Sequence, residues 1–471
     1  RGRNDTEGRC AETVKKVYVY RIDPEFRHHM GLPPDAGAVP LAPGHGLDGA
    51  QWAQKEFGEA PLGDKRLSQR LVSIAEEKAC DSEDRFLQCT NGKTAQMQGY
   101  YRFIEHPDTD AVNYKTILEP HRQRTIKRMR NEKRVLCAQD SSVLDYSSLK
   151  NRTKGLGPTG KNHKEKEGRG LRLHSTMAVS TEGLPLGILH SECEPRQFYS
   201  GQSNEQRRKV PFEQKEGYRW LTSIQACEEA AQQLPNTRLV NVMDSEGDIF
   251  ELFDYWHENP TVQLLVRAAH NRKSDIDQSL FRDIRNTPMQ GKIRVDIPDR
   301  RDKTNRRTTP YADLEIRYKP VNIQCPNHKQ HQNAAPVPVY AVYAYEPTPP
   351  PHTKRVSWIL FSTETIDTVE RAEQAIKEYA LRWRIEEWHK VLKSGCNIED
   401  TIAKEAEAIR RVLAINAMIA WRVMLMTLLG RQQPDLQPEV LFSDVEIQVL
   451  TRISEREGFR RLQTVWDAVI I

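Results

Sequence analysis

The order of apolar segments between residues 134 and 266 constrains the fold more than any other feature of this chain. Residues 134–139, Arg-Val-Leu-Cys-Ala-Gln, form a short apolar run that predicts a strand ending in Asp140-Ser-Ser. Residues 171–180 alternate, break at Thr181-Glu-Gly183 and return over 184–190, which is the pattern of a hairpin. Residues 218–234 have helical spacing, and 239–243 read as a buried strand ending in Asp244. A helix over 249–258 and a buried strand over 262–266 follow. Hairpin-joined strands followed by strands alternating with helices call for an α/β sheet with helices packed on its faces.

The flanks carry different patterns. At 471 residues the chain is too long for one ordinary domain. Residues 1–46 are rich in Pro, Gly and charge and read as an arm. Residues 47–118 turn helical, with Trp52, Phe57, Leu67, Leu71 and Ile74 close to a 3.6-residue period. There Gly63-Asp64 runs into a helix whose first turns carry Lys65, Arg66 and Arg70, and a second helix carries Tyr100, Tyr101, Arg102 and Phe103. The α/β domain is expected over 119–402, with a β-rich insertion at about 275–355, and a helical region over 403–471. Residues 121–134 hold seven Lys or Arg among 14. They read equally as a solvated helix face or as a phosphate-contacting helix.

Composition narrows the class. The chain is 38% hydrophobic and 29% charged with a net charge of +5, which permits nucleic-acid binding without demanding it. Eight cysteines without repeated spacing predict reduced thiols in a cytoplasmic protein, and the polar start predicts no signal peptide. Cys325, His328 and His331 resemble half a zinc site, but a polar loop explains them better. Residues 412–429 are apolar over about the length of a membrane span. Asn416, Trp421 and Arg422 in their interior predict a buried helix instead.

Carboxylates at the carboxyl ends of strands stand where an open α/β sheet holds its ligands. One such aspartate is ordinarily a turn cap, whereas Asp140 and Asp244 on neighbouring strands suggest a site. A long helix is expected over 369–394. On it Tyr379, Arg382, Glu386 and Lys393 fall within about 60° of one another, with His389 and Lys390 at the edge. The plainer alternative is an Arg382–Glu386 pair on a solvated surface. Asp145, Glu246, Asp248 and Glu387 are competing carboxylates, of which Asp248 suits a supporting or capping role.

The stretch Tyr379-Ala-Leu-Arg-Trp-Arg-Ile-Glu-Glu-Trp-His-Lys-Val-Leu-Lys393 resembles the Tyr-Arg-Glu-Lys signature of the insertion sequence 4 family of DDE transposases, in its Tn-five-like cut-and-paste branch. Asp244-Ser-Glu-Gly-Asp248 resembles that branch's Asp-Arg-Glu-Ala-Asp segment, departing at Ser245 and Gly247. Asp140-Ser-Ser-Val-Leu-Asp-Tyr146 resembles the segment of its first catalytic aspartate. Residues 52–79 and Gly99-Tyr-Tyr-Arg-Phe103 resemble its end-binding domain, and the similarity spans about 48–425. The order of strands and helices is that of the ribonuclease-H-like fold.

The resemblance implies two Mg²⁺ ions, replaceable by Mn²⁺, held by Asp140, Asp244 and Glu386 with Asp140 bridging. It further implies phosphate contacts from Tyr379, Arg382, Lys390 and Lys393, a DNA contact from Arg267, and a flipped base stacked on Trp358. Lys65, Arg66, Arg70, Tyr101 and Arg102 would touch the transposon end. The partners implied are double-stranded DNA, both terminal inverted repeats and target, and a second copy of the chain in a synaptic homodimer. Residues 403–471 would supply the dimerisation helices. A bacterial cytoplasmic, nucleoid-associated protein without a membrane follows from the same likeness. Two other readings are a catalytically silent DNA-binding relative and a nuclease that cuts without joining.

Overall fold

The computed structural model describes residues 51–80, 94–149, 152–161, 167–196, 210–273, 279–297, 307, 309–326, 334–442, 444–459 and 461–470. The arm over 1–46, together with His328 and His331, lies outside them. Three helices come first: α1 (Trp52–Phe57), α2 (Lys65–Cys80) and α3 (Thr94–Ile104). Trp52, Phe57, Leu71 and Ile74 are buried, so the apolar stripe does form the inner face. Asp64 turns the chain into α2, accepting the Arg66 amide at 2.8 Å on its side chain.

Helix α4 (Tyr114–Met129) begins at a capping box in which the Asn113 side chain accepts the Lys115 and Thr116 amides. Its basic run takes neither of the expected roles as a whole. His121 and Arg128 are buried, and Arg124 and Arg128 pair with Glu56 of α1 at 3.0 and 2.8 Å. The pairing partner is 72 residues distant from Arg128 in sequence, out of reach of any local pattern.

The α/β body follows: β1 (Arg134–Asp145), β2 (Gly157–Lys161), β3 (Glu167–Ser180), β4 (Pro185–Glu194), α5 (Tyr218–Ala231), β5 (Arg238–Met243), α6 (Phe250–Glu258) and β6 (Gln263–Arg267). Then come α7 (Leu280–Asn286), β7 (Gly291–Asp296), β8 (Tyr311–Ile323), β9 (Val337–Tyr345) and β10 (Ser357–Ser362). All ten strands belong to one sheet, ordered β2-β3-β1-β5-β6-β10-β9-β8-β7, with β4 also paired to β3. The β-rich segment therefore does not stand apart: β10 joins β9 to β6 by antiparallel pairing and extends the same sheet. β1, β5 and β6 are mutually parallel, and β3 and β4 run antiparallel to their neighbours.

The chain continues as α8 (Val369–Leu381), α9 (Trp383–Lys390), α10 (Ala406–Gln432), α11 (Asp444–Glu457) and α12 (Val465–Ile470). Helix α5 buries Trp220, Ile224 and Cys227 against Val135, Leu239 and Leu264 of the sheet, in one core that also holds Phe253 and Phe361. Burying a side chain of this size stabilises by about 1.5–3 kcal/mol.

Helix α10 is long and apolar enough to cross a membrane by length and composition, and 83% of its most apolar window is buried inside the protein. Several of its polar groups find backbone partners there. Trp421 donates to the Pro185 carbonyl at 2.9 Å, Arg422 to the Leu441 carbonyl at 2.8 Å, and Arg411 to the Ile104 carbonyl at 2.9 Å.

Candidate active site

The parallel ladder between β1 and β5 runs to Ala138 opposite Val242. Continued two residues, that register brings Asp140 and Asp244 level at the carboxyl edge of the sheet. β1 does not end at Asp140 as its apolar run predicts, because β3 pairs with it as far as Asp145 opposite Gly170. Asp140 therefore sits where the parallel ladder stops while the antiparallel one holds its backbone. Asp244 follows β5 directly and caps the single turn Ser245–Gly247, accepting the Glu246 amide at 2.8 Å. Gly247 packs so closely on Met243 that an added Cβ would lie 2.7 Å from its Cβ.

The continuous helix expected over 369–394 is broken. α8 ends at Leu381, Arg382 stands in a turn, and α9 begins at Trp383. The Arg382 amide donates to the Tyr379 carbonyl and the Ile385 amide to the Arg382 carbonyl, both at 3.2 Å, a tightened i→i−3 pattern. Past α9 the chain takes a π turn over Val391–Gly395. Ideal helical spacing thus fails for Lys393, whose Nζ donates to the Val143 carbonyl of β1 at 2.6 Å. Lys390 stays exposed on α9.

Three of the four signature residues still converge. The Arg382 side chain is 9% exposed, with Nη1 3.7 Å from Asp140 Oδ1 and Nη2 donating to Glu386 Oε1. The Arg382–Glu386 pair exists, then, but not on a solvated surface. Burial opposes the charge of Arg382, yet Tyr379, Asp140, Glu386 and Asp244 together hold its pKa above the ordinary value. Burial pushes the Asp244 carboxyl up; the Glu246 amide and Arg382 resist this, and the charges of Asp140 and Glu246 add to it. His389 of α9, buried, approaches Asp140 Oδ2 at 3.5 Å through Nδ1.

The donor chemistry, three carboxylates and no thiolate, suits a hard divalent cation. Among the described residues, however, no group of three or more His, Cys, Asp or Glu is gathered closely enough to hold a metal ion. The acids gather around a guanidinium instead.

Two other elements meet this edge. Trp358 of β10 packs edge-on against Tyr379, ring centroids 5.1 Å apart, so the tryptophan borders the signature helix. Arg267 ends β6 opposite Leu360 of β10, on the same side. The competing carboxylates are engaged elsewhere. Asp248, buried, pairs with Arg272 at 2.6 Å and accepts the Ala269 and His270 amides, fastening the loop after β6. Glu246 pairs with Arg219, Glu387 with Arg384, and Asp145 accepts the Ser147 amide.

One further linkage has no local signal along the chain. Arg219 of α5 donates to Ser141 Oγ at 3.0 Å and to Glu246 at 2.8 Å, tying the residue after Asp140 to the turn after Asp244. Ser141 Oγ also lies 2.9 Å from His174 Nδ1, and burial drives His174 well below the usual histidine range, so that it is neutral.

Away from the sheet edge, Lys65 and Arg66 are exposed in the first turn of α2, and Tyr101 and Arg102 are exposed on α3. Arg70 lies against α3, its Nε 3.5 Å from the place a Cβ on Gly99 would occupy. Residues 49–109 match the transposase DNA-binding family, which makes the helical layer α1–α3 a transposase-type DNA-binding domain and supports a transposase acting on DNA.

Proposed function

We propose that this chain is a cut-and-paste DNA transposase of the insertion sequence 4 kind, in its Tn-five-like branch, with a ribonuclease-H-like core. The observation that carries the reading is the convergence of Asp140 and Glu386 on one buried arginine at the carboxyl edge of the sheet, where the β1–β5 register sets Asp244 level with Asp140. The strand order β4-β3-β1-β5-β6 and the DNA-binding domain in front of it support the same conclusion.

Asp140, Asp244 and Glu386 would hold Mg²⁺ or Mn²⁺, which supply activation of the attacking oxygen and neutralisation of the leaving one. Tyr379, Arg382 and Lys390 would grip phosphates next to the cleaved bond, and Arg267 would contact the duplex. Trp358, backed by Tyr379, offers a face on which an extruded base stacks during a hairpin step. Lys65, Arg66, Arg70, Tyr101 and Arg102 would hold the terminal repeat, with a homodimer bringing two ends together in the cytoplasm. The catalytically silent alternative draws on one observation, that Arg382 rather than a cation site lies among the acids.

Cleavage of a labelled duplex carrying the element's end, in Mg²⁺, separates the two. The parent should nick and then break the duplex, while Glu386→Ala binds it equally and does neither. A folded parent that binds but never cuts in Mg²⁺ or Mn²⁺ would sink the catalytic reading.

A further inference from the structure

Asp140 and Glu386 share one counter-charge, and it comes from the chain itself. Nη2 of Arg382 is bonded to Glu386, while Nη1 faces Asp140 at 3.7 Å and has no hydrogen-bond partner although it is buried. A guanidinium cannot shed its charge, so it competes electrostatically with any other cation for the same acids. Arg382 stands in the turn between α8 and α9.

We infer that Arg382 is an internal counter-cation, holding the position between Asp140, Asp244 and Glu386 until it moves aside for a divalent ion. This rests on the metal-holding role proposed for those acids, and it adds an order of events. Metal affinity is low while Arg382 is in place and rises when the guanidinium is drawn away, as a phosphate would draw it. Arginine at this position then gates the metal as well as gripping the strand.

Mn²⁺ binding to the full chain without DNA, read by electron paramagnetic resonance, tests the inference. Arg382→Gln and Arg382→Met remove the charge and keep most of the volume; Arg382→Lys keeps the charge. Both neutral variants should bind Mn²⁺ at least about tenfold more tightly than the parent, with Arg382→Lys close to the parent. Adding Asp140→Asn to Arg382→Gln should abolish the gain. Neutral variants that fold and melt normally but bind no tighter than the parent overturn the counter-cation. If Asp140→Asn still weakens Mn²⁺ binding in that case, the metal-holding reading survives. If neither the parent nor any variant binds Mn²⁺, both ideas fall.

Discussion

Glu56 joins the DNA-binding helices to the body, and replacing it with alanine should destabilise the protein strongly. Its carboxylate is 5% exposed and meets Arg124 at 3.0 Å, Arg128 at 2.8 Å and His121 Nδ1 at 2.6 Å. The Ile188 amide donates to His121 Nε2 at 3.0 Å, so Nδ1 carries the ring proton and His121 is neutral. The ionic pairing is therefore with the two arginines. Burial opposes the charge of Glu56, but Arg128 and His121 hold its carboxyl far below the usual range.

Removing one partner from such a cluster strands buried charge and costs about 3–5 kcal/mol. With roughly 2.1 cal/mol/K of unfolding entropy per residue over about 400 cooperative residues, Tm should fall by about 4–6 °C. Scanning calorimetry at neutral pH reads this directly. The depressed Glu56 contributes stability above its unfolded value of 4.5 and loses it as pH falls through the lower folded value. The gap between Glu56→Ala and the parent should therefore narrow below pH 4.5. His121, also depressed by burial, adds a loss of stability as pH falls below 6.5. A variant melting within about 1 °C of the parent at neutral pH would refute the reasoning.

Asp244→Asn should abolish cleavage yet raise Tm by a degree or two, since the native site strains that carboxylate. Because the Asp244 pKa is raised on folding, its destabilising effect grows as pH rises above 3.8, so the Tm gain should widen between pH 4 and pH 7. Lys65→Ala and Arg66→Ala, at exposed positions opening α2, should each lower affinity for end DNA and reduce the salt slope of binding by about 1. Titrations at several salt concentrations that leave the slope unchanged would remove these residues from the interface.

Features set by neighbours along the chain were legible in the sequence. The hairpin at Gly183, the strand leading to Asp244, the helix beginning after Asp64 and the buried character of α10 all follow from periodicity and turn chemistry over a few residues. So does the place of Asp244 at the end of its strand, since the run of apolar residues ahead of it is local. What local spacing misjudged was extent. β1 continues to Asp145 because β3 lies beside it, and the signature helix breaks at Arg382 where its side chain turns in toward the acids.

The sequence by itself determined which groups are present: the α/β alternation, two aspartates that each follow an apolar run, and an arginine, glutamate and tyrosine at helical spacing. Only the tertiary structure decided what each charge faces. Arg128 meets Glu56, Lys393 meets a strand carbonyl, Arg219 meets Ser141, and Arg382 lies among the acids. The physical reason is that periodicity reports which side of an element is apolar, whereas a buried charge is settled by the nearest opposite charge in space. Here that partner comes from a distant segment for Arg128, and for Arg382 from three segments at once.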